Sequence, residues 1–132
     1  MKLQDINFAL GSNLKVVLAL NAYYQILLSQ YNILEKKFQI WWDEKFSLAS
    51  QFLNPPDLPG SKYKGIKEIE SYVRFNNKDE YIKKTDELDK IKLKMNFIKS
   101  LKDDWSGNQY SLKTLSDNLK AELVGTYAGK DE

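Results

Sequence analysis

The sequence predicts an all-α protein. Three observations carry that prediction. Apolar residues recur every 3.5 positions from Val17 to Phe52, a second such series runs from Tyr81 to Trp105, and all three prolines fall between residues 55 and 59. The expected architecture is a long helix plus two or three shorter helices with coiled-coil-like packing, and a short loop or strand segment in the middle. A chain of 132 residues fits one domain, residues 1–132.

Residues 2–10 read as a short amphipathic helix ending near Gly11, with Ser12 as N-cap of the long helix. The long helix carries Val17, Leu20, Tyr24, Leu27, Tyr31, Leu34, Phe38, Trp41, Lys45, Leu48 and Phe52 on one seam, apolar except at Lys45. Forty residues of helix are about 60 Å long. Such a helix cannot cover its own seam, so it needs partner helices or partner chains. Leu27, Tyr31, Leu34, Phe38 and Trp41 are the expected oligomer interface. Phe38, Trp41, Trp42 and Phe46 form an aromatic belt that continues this seam, so packing is its expected role rather than base stacking.

Asn54-Pro55-Pro56 ends the helix, because proline lacks an amide donor and disfavours α geometry in the residue before it. Residues 54–76 read as a loop containing proline, glycine and lysine, with a short extended segment near residues 69–75. Asn77 with Glu80 matches a capping box opening the next helix. That helix runs to about Asp104 with Tyr81, Leu88, Ile91, Met95, Ile98 and Trp105 on one seam. Its mixed charges, spaced for i,i+4 pairing, suit a solvated or inter-subunit face better than a phosphate track. Ser106-Gly107 is expected to break it. Asn108 then caps a last helix with Leu112, Leu115, Leu119 and Leu123 on one stripe, stopped by Gly125, and residues 126–132 form a flexible tail.

Composition removes several chemistries. The chain has no cysteine and no histidine, which excludes disulfides, thiolate nucleophiles, cysteine–histidine zinc sites and Ser-His-Asp triads. Acid pairs such as Asp43-Glu44 and Asp103-Asp104 point in different directions on a helix, and no second cluster completes a site. No glycine-rich phosphate loop is present. The expectation is a non-enzyme with no cofactor and no metal. No run approaches the roughly 18 apolar residues of a membrane helix. Asp5 and Lys15 argue against a signal peptide, so a cytoplasmic location is expected.

Net charge is only +2, so an anion site must be a local patch. The best local candidate is the stretch Gly60-Ser61-Lys62-Tyr63-Lys64-Gly65-Ile66-Lys67. Lysines neutralise phosphates and a tyrosine ring can stack on an unpaired base. A solvated loop whose lysines aid solubility has the same composition, and that reading stays open. Arg74, the only arginine, can clamp a phosphate or pair with Glu70 or Asp79. Lys45 either snorkels to solvent or marks an opening of the seam onto a ligand or neighbouring chain.

Beyond these local features, the chain resembles the UvsY family of phage recombination mediators. The resemblance lies in Met1-Lys2-Leu3-Gln4-Asp5, in residues 12–38 with Leu34-Glu35-Lys36-Lys37-Phe38, in Asn77-Lys78-Asp79 before a long helix, and in Tyr110-Ser111-Leu112-Lys113. It covers nearly the whole chain as order and spacing. There is a departure: residues 47–53 carry no basic residue, and Asn54-Pro55-Pro56 stands where the family has an aromatic–glycine turn. The positive charge lies instead at Lys45, before this segment, and at Lys62, Lys64 and Lys67, after it. The resemblance implies a homo-oligomer, in the family a closed ring. It also implies binding of single-stranded DNA, remodelling of the single-strand-binding protein, and loading of a RecA-like recombinase in DNA recombination and repair. For a phage protein the location would be the bacterial host cytoplasm. The nucleic-acid-binding residues expected here are Lys45, Lys62, Tyr63, Lys64, Lys67 and Arg74. The alternative expectation is a helical interaction module or inhibitor, of phage or mobile-element type, that docks on a protein partner.

Overall fold

A computed structural model describes residues 2–130 and is all-α. Helix α1 (Leu3–Leu53) is followed by a 3-10 turn (Gly60–Lys62), α2 (Ile66–Asn76) and α3 (Lys78–Lys130). The chain divides into two units. One joins α1 up to Leu27 with α3 from Lys94 onward, and the other is Leu28–Leu93.

In the first unit Ile6, Leu27, Met95 and Ile98 are buried. Asn13 reaches across from α1, donating through Nδ2 to the Trp105 carbonyl at 3.0 Å and to Gln109 Oε1 at 2.7 Å. Further along α1, the Lys102 ammonium lies 5.4 Å from the centroid of the Tyr24 ring. Rising numbers in α1 thus meet falling numbers in α3, and the two segments run antiparallel.

Neither Gly11 nor Gly107 breaks its helix, contrary to expectation; α1 and α3 are continuous through both. Glycine inside a helix costs only about 1 kcal/mol relative to alanine. Inward-facing residues on both sides of each glycine offset that cost. Ile6, Leu10 and Asn13 carry the α1 seam across Gly11, and Ile98 and Leu101 before Gly107 with Gln109, Leu112 and Ser116 after it carry the α3 seam across Gly107. Leu115 and Leu123, expected on the last apolar stripe, are exposed, and Ser116 is buried in their place. Gly125 does not stop α3, which runs on through residues 126–130 of the expected tail. Asp131 and Glu132 lie outside the described residues.

In the second unit the seam of α1 slips by one position. Tyr31, Leu34, Phe38 and Trp41 are partly buried as expected, but Leu48 and Phe52 are exposed. Ala49 and Leu53 turn inward instead, with Trp42 and Phe46, against Ile69, Val73 and Tyr72 of α2. An α-helix turns every 3.6 residues, so a strict 3.5-residue repeat drifts by about 20° per heptad. Here α2 offers an apolar face to the drifted side. Residues 66–76, expected as loop and extended segment, are therefore helical. The turns of α2 place Ile69 and Val73 on one buried stripe, and apolar residues at i and i+4 share a helix face.

Asn77 marks the junction of α2 and α3 as the sequence indicates, but not through a capping box. Its backbone N–H and its Nδ2 both donate to the Val73 carbonyl at 3.0 Å, closing α2. The Glu80 carboxylate instead accepts a hydrogen bond from Trp41 Nε1 at 2.9 Å.

Candidate nucleic-acid interface

The lysine-bearing stretch begins where α1 stops. Pro55 and Pro56 cannot extend the helix, and the chain returns through turns closed by Leu58 N to the Pro55 carbonyl (3.1 Å) and Lys62 N to the Pro59 carbonyl (2.9 Å). Asn54 secures the return. Its Oδ1 accepts from the Lys64 N–H at 2.7 Å, and its Nδ2 donates to the Lys64 carbonyl at 3.0 Å. One side chain thus satisfies both backbone groups of one residue, as a neighbouring strand would, and fixes Lys64 beside the end of α1. In the sequence Asn54 stands out only as part of a helix stop. An amide side chain placed just before a proline turn was the available signal.

The six expected contact residues fall in this unit with different surroundings. Lys62, Tyr63 and Lys67 are exposed, and neither lysine has an ion pair among the described residues. Lys64 pairs with Glu68 at 3.7 Å and Arg74 with Glu70 at 3.5 Å, both at i,i+4 spacing, with Lys64, Glu68 and Arg74 exposed and Glu70 partly buried. The Arg74 guanidinium also lies 5.7 Å from the Trp42 ring centroid, so this residue has a packing role in addition to its charge. Lys45 is half-buried and lines a shallow depression with Leu48, Ala49, Phe52, Tyr72 and Asn77. In that depression the Phe52 and Tyr72 rings stack, with centroids 5.8 Å apart and planes inclined by 25°. Its heptad position marks Phe52 as a seam residue, and nothing in the sequence pairs it with Tyr72.

No protein-family model matches the chain, and no curated protein or solved structure does either.

The expected oligomer residues have partners within the chain. Leu27 is only 3% exposed within the chain, and Tyr31, Leu34, Phe38 and Trp41 are partly covered. Phe38, Trp41 and Trp42 pack with Tyr81 as a ring cluster, Phe38 and Trp42 lying 6.0 Å and 5.9 Å from Tyr81 by centroid. The Lys84 ammonium sits 5.5 Å from the Trp41 centroid. Phe38, Trp41 and Trp42 of α1 thus pack on Tyr81 and Lys84 of α3 within the second unit, while Leu27 is buried in the first. The side chains left uncovered are others: Ile33, Ile40 and Phe75 in this unit are strongly exposed. Among the described residues no group of three or more acidic side chains is placed to hold a metal ion, and no helix is long and apolar enough to cross a membrane.

Proposed function

We propose that the protein is a homo-oligomeric, single-stranded DNA-binding recombination mediator that helps load a RecA-like recombinase. The observation that carries this reading is the distribution of charge. Residues 45–78 hold six basic and three acidic side chains, a net +3, while the whole chain is only +2. The remainder is therefore slightly acidic, and the positive field is concentrated on one segment of the second unit. The Lys64–Glu68 and Arg74–Glu70 pairs do not remove it, because exposed ion pairs of this kind are worth at most about 1 kcal/mol and yield to a phosphate.

Assembly has its own support. Large apolar side chains such as Ile33, Ile40 and Phe75 are exposed in the second unit, and exposed apolar area of this kind marks interaction surfaces. The recombinase and the single-strand-binding protein enter through the resemblance in order and spacing.

Titrating a fluorescent oligothymidine with protein at a series of salt concentrations tests the DNA half. Four to six phosphate contacts predict a slope of log affinity on log salt of roughly −3 to −4 for a single strand. Absence of binding at low salt would end this reading. It would favour the second one, a helical module docking on a protein partner, for which the same exposed isoleucines and Phe75 would supply the contact.

A further inference from the structure

We propose that Phe52, backed by Tyr72 and flanked by Lys45, is a stacking platform for an unpaired nucleobase. The proposal rests on the single-stranded DNA reading above and adds a base-contacting site to it. Phe52 is 71% exposed although it continues the apolar repeat of α1, because the seam slips and Leu53 takes the inward position. The exposed ring is not loose. Tyr72 packs against the buried Ala49–Ile69–Val73 cluster and stacks on Phe52 at 5.8 Å and 25°. One face of Phe52 is thus held by a ring anchored in the core, and the other side is left to solvent. A pre-set ring costs a ligand little ordering entropy, and base–aromatic stacking accepts any base because every base has a π face.

Charge selects this occupant over a second copy of the chain. Lys45 and Leu48 precede Phe52 by two turns and one turn on the same side of α1, and Lys45 lines the depression that Phe52 and Tyr72 bound. The segment around them carries the net +3 described above. Two such patches meeting face to face would bring like charges together, whereas a strand of phosphates with unpaired bases complements both the lysine and the ring.

Two oligonucleotides of equal length and charge separate stacking from charge: oligothymidine and a fully abasic strand. The wild-type protein should bind oligothymidine about fivefold or more tightly than the abasic strand. Phe52→Leu, which keeps an apolar side chain but loses the π face, should close that gap and leave abasic affinity unchanged. Phe52→Trp should preserve the gap, and helical circular dichroism checks that each variant folds. Lys45→Gln should weaken both strands alike and reduce the salt slope by about one. A gap that persists in Phe52→Leu, or wild-type protein binding both strands equally, overturns the platform while leaving DNA binding intact. A Phe52→Leu variant with altered solution mass and an unchanged gap assigns the patch to subunit contact and overturns it too. Failure of the wild type to bind either strand removes the DNA reading and the platform together.

Discussion

At the scale of single residues, asparagines do work that their sequence positions only hint at. Asn54 holds both backbone groups of Lys64, and its side chain is the link between the end of α1 and the lysine stretch. Asn54→Ala should cost about 1 kcal/mol, the net worth of one or two exposed hydrogen bonds. Its main effect should be local. The Lys64 amide should exchange with solvent markedly faster while amides in the middle of α1 keep their protection; unchanged protection at Lys64 would show that the clamp does not order the loop. Asn13 is buried at a seam position and bonds to Trp105 and Gln109. A buried amide at such a position favours the one register in which its partners are opposite, at some cost in stability. The sequence shows the polar residue but not the partners, because Gln109 lies 96 positions away.

At the scale of elements, continuity of register decided what local signals did not. Gly11 and Gly107 both lie inside helices, and a Cβ added at either meets nothing within 4 Å. Gly11→Ala and Gly107→Ala should each stabilise the protein by about 0.5–1 kcal/mol, since alanine narrows the unfolded ensemble and fits helical geometry without strain. Chemical denaturation would show it as a higher midpoint with an unchanged slope; a lower midpoint would mean that one of these glycines marks a real break. Treating glycine as punctuation split both helices, yet the heptad spacing ran straight through. Helix α2 departs from the expected loop and extended segment for the opposite reason. Its eleven residues carry too short a pattern to distinguish helix from extended chain, and its helical state depends on docking Ile69 and Val73 against Ala49.

At the scale of the whole molecule, net charge understates the local electrostatics, and the apolar seam does not show which of its residues are covered within the chain. Residues 45–78 carry more positive charge than the entire chain does. The seam residues are covered in part within the chain, and Ile33 and Ile40, which lie one heptad apart on the uncovered side of α1, are the surface on which the proposed assembly can be tested. The Ile33→Ser, Ile40→Ser double variant should reduce the solution mass measured by light scattering while leaving helical content unchanged. A wild-type mass equal to one chain would remove the oligomeric mechanism outright, and a double variant of unaltered mass would move the interface elsewhere.

The sequence by itself determined the helical class, the stop at Asn54-Pro55-Pro56 and the junction at Asn77. These depend on local backbone chemistry and on a repeat that one helix writes along itself. It also located the lysine stretch, because composition is local. Only the tertiary structure decided which apolar residues are used inside the chain and which are left outside, and that choice separates a core from an interface. A heptad seam specifies that something must cover it, not what does. Here α3 covers α1 within each unit, α2 draws Ala49 and Leu53 inward, and Phe52 is turned out beside Tyr72 and Lys45.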